Sequence, residues 1–153
     1  MENQKDDFTL KNYSRCISLG LQNNYGFLSV GEYFKRETLS QEKQIILRHD
    51  IDTQLDVAIK MAEIEKMHGV NSTYFVRLHS HNYNPLCLRD YEKIKKIISL
   101  GHEIGLHYES DFYNITNNEV KYFLHKEVEL LENIFDVKIT SICPHEPTRT
   151  NVF

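Results

Sequence analysis

Four short apolar runs alternate with three helical stripes between residues 44 and 143, and this alternation constrains the fold more than any other feature of the chain. Gln44-Ile45-Ile46-Leu47-Arg48-His49 is nearly continuous and apolar over strand length, as expected of a strand buried on both faces. Thr53 with Asp56 three residues later has the form of a capping box. Leu55, Ala58, Ile59 and Ala62 then mark one helical face that stops at His68-Gly69. Ser72-Thr73-Tyr74-Phe75-Val76 is β-branched and aromatic and reads as the second strand. Tyr91, Ile94, Ile97, Ile98 and Leu100 give a second helix closed by Gly101, and His102 to His107 a third strand. Thr116 and Glu119 repeat the capping pattern ahead of a stripe from Val120 to Ile134, and Lys138 to Cys143 is a fourth strand. Such an order predicts an α/β fold built from parallel βαβ units, with at least four parallel strands and crossover helices. Right-handed crossovers place the strand C-termini on one rim, where ligands and catalytic groups collect.

Residues 1–43 read as a helical extension: Phe8, Leu10, Tyr13, Ile17 and Leu21 recur at helical spacing, Asn23 to Gly26 break the pattern, and a second short helix covers Gly31 to Arg36. Residues 44–153 form the main domain. The chain carries 18 Lys+Arg against 22 Asp+Glu, which argues against a polybasic nucleic-acid module. With 41% hydrophobic residues there is material for a core. No apolar run approaches the roughly 18 residues of a membrane span. The start, MENQKDDF, lacks the basic-then-apolar order of a signal peptide, so a cytoplasmic protein is expected. Cys16, Cys87 and Cys143 are odd in number and widely spaced, which indicates neither a disulfide framework nor a zinc ribbon, and they read as small core residues.

Eight histidines are the anomaly. Six of them fall in or beside the strand segments, five of these at C-terminal ends, in His49-Asp50-Ile51-Asp52, Arg77-Leu78-His79-Ser80-His81, His107-Tyr108-Glu109-Ser110-Asp111 and His145-Glu146, and acidic residues accompany them in all but the second of these segments. Asp50 and Asp52 are one residue apart, so on an extended segment both point the same way. Two such carboxylates repel unless a cation relieves them. A divalent metal does so if one carboxylate ligates it while the other acts as general base. Asp52 equally suits capping the following helix. His107, Glu109 and Asp111 are all competent metal ligands at a spacing that one turn brings together. His79 and His81 read as surface or substrate-facing residues, His145 as an acid or an extra ligand, His102 as structural, and His68 and His125 as surface positions on helices.

The combination of Ile46-Leu47-Arg48-His49-Asp50-Ile51-Asp52 before a helix, Ser72-Thr73-Tyr74-Phe75-Val76, and Gly101-His102-Glu103-Ile104-Gly105-Leu106-His107 resembles the polysaccharide deacetylase family with the NodB homology domain, over residues 44 to 147. The resemblance implies a distorted, incomplete (β/α) barrel and a metal-dependent hydrolase that removes N- or O-linked acyl groups from sugars. By that resemblance Asp50 is the general base and Asp52 a metal ligand, with the Asp50-Ile51-Asp52 spacing of an HDxD-type branch. His107 is a second ligand, and Asp111 stands where the family has another histidine, leaving the third ligand open among Asp111, Glu109 and a histidine from elsewhere. His79 and Glu109 are expected to face substrate, and His145 to replace a catalytic acid. The family's Arg-x-Pro-Tyr motif is not recognisable, Cys143-Pro144-His145-Glu146-Pro147 standing near its place. Its later strands would lie beyond Phe153, so an incomplete domain is expected, with exposed strand edges that favour a homodimer. The implied cofactor is a divalent ion, zinc first, then cobalt or nickel. The implied partner is an acetylated sugar or a nucleotide- or lipid-linked precursor in surface-polysaccharide metabolism, the alternative being a degenerate homologue that binds sugar or metal without turnover.

Overall fold

The computed structural model describes residues 8–36, 43–112 and 117–150. Helix α1 (Leu10–Gln22) is capped by Thr9, whose side chain accepts the Asn12 N–H at 3.2 Å. Strand β1 (Gly26–Leu28) follows, then α2 (Val30–Phe34), opened by a capping box in which Ser29 and Glu32 satisfy each other's backbone N–H groups. Strand β2 (Gln44–Ile46) pairs in parallel with β1. The main sheet comprises β3 (Arg48–Ile51), β4 (Thr73–Val76), β5 (Glu103–Tyr108) and β6 (Ile142–Pro144), all parallel and in that order. Helices α3 (Leu55–Met67), α4 (Leu88–Ser99) and α5 (Asn117–Phe135) connect them, and a short α6 (Pro147–Thr150) follows β6. The expected α/β architecture with four parallel strands is therefore present. No helix among the described residues is long and apolar enough to cross a membrane.

Several sequence expectations need correction: Cys16 is exposed and only Cys143 of the three cysteines is buried, and the fourth strand is Ile142–Pro144 rather than residues 138–143. Residues 44–49 do not form one strand: the Leu47 N–H donates to Leu28 O at 2.8 Å while the Leu47 carbonyl accepts from Thr73 N at 3.1 Å. At this residue the chain leaves the two-stranded sheet and enters the four-stranded one. Strand β1, which captures the first half of the run, has three residues and is too short to give a periodic signal. The capping box at Thr53 does not form either, because α3 starts at Leu55 with Gln54 as its N-cap and no side-chain cap bond. Finally, His49 does not join the rim. The other capping pattern rests on Thr116, and the end of the chain on residues 151–153, which lie outside the described residues.

Parallel register sorts side chains onto two faces. His49, Tyr74 and Ile104 lie in one row and Ile51, Val76 and Leu106 in the next. This face packs on Leu55, Ala58 and Ala62 of α3, Ile94 and Ile97 of α4, and Leu131 and Phe135 of α5. Within it Glu65 is fully buried. It accepts from the hydroxyls of Ser72 (2.6 Å), Tyr74 (2.9 Å) and Tyr13, and its Oε1 lies 2.5 Å from His49 Nε2. His102, also buried, lies 3.2 Å from Ser72 Oγ and 2.9 Å from Ala62 O. His49 points inward because it shares the β3 face of Ile51, and it meets Glu65 there together with His102, whose Nδ1 lies 3.3 Å from the same carboxylate.

The opposite face carries Arg48 and Asp50 of β3, Thr73 and Phe75 of β4, Glu103, Gly105 and His107 of β5, and Cys143 of β6. At one end Glu103 accepts from Gly31 N at 2.9 Å, from Thr73 Oγ1 at 2.5 Å and from the Thr140 hydroxyl, tying α2 to the sheet. Mid-face, the buried Phe75 ring crosses over Gly105. A Cβ there would lie 2.5 Å from Phe75 Cε1 and 3.0 Å from the backbone oxygen of Ser141. Gly105→Ala is therefore expected to lower stability by about 1–3 kcal/mol. An unchanged urea midpoint would mean that Phe75 does not pack there.

Candidate metal centre

Beyond the Phe75 layer, the face ends in a cleft of about 470 Å³ bordered by Asp50, Asp52, Arg77, His107, Cys143 and His145. Asp50 and Arg48 are two apart on one strand and share a face, so the guanidinium reaches back along the strand: Nη2 lies 2.7 Å from both Asp50 oxygens and Nε 3.2 Å from Oδ1. Arg48 is itself stacked over the Phe75 ring at 4.8 Å. Asp52 follows the strand and is free of helix capping. Its side chain is 48% exposed overall, yet its inner oxygen Oδ1 is buried and has no hydrogen-bond partner. That oxygen lies 3.5 Å from His107 Nε2 and 3.4 Å from His145 Nε2.

His107 is buried opposite Cys143 in the β5–β6 register. Its Nδ1 is 3.2 Å from the Cys143 carbonyl oxygen and 3.0 Å from Sγ. A proton on Nδ1 given to that carbonyl leaves the Nε2 lone pair facing Asp52. Burial holds the His107 pKa below the usual histidine value, outweighing the backbone contact and the two aspartates, which favours the neutral, ligating form. His145 Nε2 points at Asp52, while its Nδ1 lies 3.2 Å from Glu109 Oε2.

Among the described residues two sets of three potential ligands converge: Asp52, His107 and His145, and Asp50, His107 and Cys143. The second set already holds a cation, since Arg48 Nη2 binds Asp50 and sits 3.3 Å from Cys143 Sγ. Burial and Asp50 also push the Cys143 thiol up to about 12, so it is not a ready thiolate. The first set fits a metal better. Ligand atoms roughly 2.0–2.1 Å from a tetrahedral ion stand about 3.3 Å apart, close to the 3.5 and 3.4 Å found around an oxygen that has no hydrogen bond and only the Arg77 guanidinium, at 3.7 Å, as a further charge partner.

Asp111 belongs to neither set. It lies on a short 3-10 turn (Ser110–Phe112) and borders a neighbouring cavity of about 680 Å³ with His79, Glu109 and Phe112. Glu109 is engaged by Arg77, whose Nε donates to it at 2.7 Å, and by His145. The His79 ring stacks on Phe112 at 3.7 Å and its Nε2 meets Glu127 at 2.6 Å. Sequence reasoning missed Arg48, Arg77 and Cys143 as site residues. For Arg48 a signal existed, because it shares the strand face of Asp50 at spacing two. For Arg77 the signal was its place directly after the second strand, on the rim, but its contacts with Asp52 and Glu109 come from other strands and leave no local trace.

No protein-family model matches the chain, and no curated protein matches it. Among solved structures, the fold is similar to that of a Streptococcus pyogenes deacetylase, PplD, in complex with acetate, with a TM-score of 0.67 at 14% sequence identity over 99% of this chain and 74% of that one.

Proposed function

We propose that the protein is a metal-dependent deacetylase acting on an N- or O-acetylated sugar or sugar precursor, with Asp52, His107 and His145 holding a divalent ion, zinc first among candidates. The observation that carries the reading is the orphaned Asp52 Oδ1 set between two imidazole nitrogens, two residues after an arginine-held carboxylate. The likeness in fold to a deacetylase supports the same reaction class. Bound there, a divalent ion supplies Lewis acidity to an acyl carbonyl and lowers the pKa of water from about 15.7 toward neutrality. The rest of the chemistry falls to the chain. Asp50, anchored by Arg48 and directed into the cleft, accepts a proton from the attacking water and is placed to return it to the leaving amine or alcohol. Cys143 and Pro144 supply apolar surface to the cleft wall. The cavity beside His145, bordered by His79, Asp111 and Phe112, receives the remainder of the sugar. His145 serves in this reading as a ligand rather than an acid.

Acetate release from a panel of acetylated sugars and nucleotide sugars is the test. Release is expected to vanish after chelator treatment and to return on addition of zinc or cobalt. Release insensitive to the chelator, or none across the panel, would overturn the proposal.

A further inference from the structure

The polar chain behind the metal centre links two of its three ligands. Arg77 is buried at the end of β4, with its side chain only 9% exposed. Its Nη1 lies 3.4 Å from the Asp52 carbonyl oxygen and 3.7 Å from Asp52 Oδ1, and its Nε and Nη2 bind Glu109 Oε1. The other oxygen of Glu109, Oε2, faces His145 Nδ1 at 3.2 Å. Nearby, Asn82 Nδ2 donates to the Asp52 carbonyl at 3.0 Å and Tyr83 OH donates to the Ile51 carbonyl at 2.8 Å, so the backbone under Asp52 is braced from the same loop.

From this geometry we infer that Arg77 and Glu109 are positioning residues for the metal centre, an inference that rests on the metal reading proposed above. Each oxygen of Glu109 has one task. Oε1 is held by a guanidinium that cannot lose its proton, and Oε2 is thereby left to accept from His145 Nδ1–H. With the proton on Nδ1, the Nε2 lone pair of His145 faces Asp52 Oδ1, the place the ion would occupy. Arg77 meanwhile holds Asp52 through its carbonyl. One buried ion pair thus sets the tautomer of one ligand and the backbone position of another, the arrangement by which outer groups tune metal affinity.

Glu109→Gln separates this role from simple packing. The amide keeps the shape and lets its oxygen accept from Arg77, but turns an NH2 group toward His145 Nδ1, which then accepts, so that the proton favours Nε2 and ligation must first overcome the cost of the other tautomer. Cobalt(II) titrations followed by the visible ligand-field spectrum are the measurement. Wild type is expected to bind one equivalent with a tetrahedral spectrum. Glu109→Gln and Arg77→Lys are each expected to weaken binding about 10–100-fold and alter the spectrum. Glu109→Gln combined with His145→Ala should bind no more weakly than His145→Ala alone, and Glu129→Gln on the exposed side of α5 should match wild type. Wild type failing to bind cobalt would overturn the metal reading and this inference with it. Wild type binding normally, with Glu109→Gln folded by circular dichroism and equal to it in affinity and spectrum, would overturn the inference alone.

Discussion

Replacing Asp50 with asparagine is expected to leave the bound metal in place while lowering kcat by about 10²- to 10⁴-fold, the usual contribution of a general base. The separation follows from what each carboxylate touches. Both Asp50 oxygens are hydrogen-bonded by Arg48, whereas the inner oxygen of Asp52 accepts no hydrogen bond, has Arg77 only at 3.7 Å, and faces two imidazole nitrogens. Asparagine retains the shape of Asp50 but cannot take a proton from water. Kinetics with measured metal content check this. Substantial turnover in Asp50→Asn, or loss of metal from it at unchanged stability, would show that the two aspartates have been assigned the wrong way round.

A second large effect is expected far from the cleft. Glu65→Ala should cost about 3–5 kcal/mol of stability, since it removes the one carboxylate that several buried groups share and each buried group left unsatisfied costs about 1–3 kcal/mol. Glu65 is fully buried, and its removal strands His49, Ser72, Tyr74 and Tyr13 without their common acceptor. Tyr13 belongs to α1 and His49 to β3, so the loss loosens both the N-terminal helix and the strand that carries Asp50. The same group predicts a pH dependence. Burial works to raise the Glu65 pKa, but His49 and the Ser72 and Tyr13 hydroxyls more than offset it, and the net position is below the ordinary value of 4.5. A carboxylate held low in the folded state binds protons more readily when unfolded. Its stabilisation is therefore complete above that ordinary value and is lost as the pH falls through it toward the depressed folded value. Urea midpoints measured from neutral pH down to about pH 3 should fall more steeply for wild type than for Glu65→Gln. Equal slopes, or a Glu65→Ala protein as stable as wild type, would contradict this account.

The repeating strand and helix pattern was legible because β4 and β5, buried along nearly their whole length, give continuous apolar runs and the amphipathic crossovers give periodic ones, whereas the run at 44–49, read as buried on both faces, is only partly covered. Asp50, Asp52 and His107 stood out for the same reason: each sits at a strand end that the pattern itself locates. What escaped the sequence depends on pairing. The switch of partners at Leu47 is decided by β1, three residues with no periodicity of their own. His49 looks like a rim residue until Glu65, sixteen positions later on α3, is seen to face it on the helix-covered side of the sheet. Asp111 and Glu109 are equivalent candidates by spacing alone, and only the turn that exposes Asp111 and the arginine that holds Glu109 distinguish them. His145 could be read as acid or ligand until the 3.4 Å approach of its Nε2 to Asp52 gave it a direction.

The central claim is that Asp52, His107 and His145 hold one divalent ion, and elemental analysis of the purified wild type beside Asp52→Ala and His107→Ala tests it most directly. The account predicts about one equivalent of metal in the wild type after loading with zinc and desalting, and almost none in either variant, since a tetrahedral site reduced to two protein ligands does not retain its ion. Full metal content in both variants, with their folds intact, would contradict it.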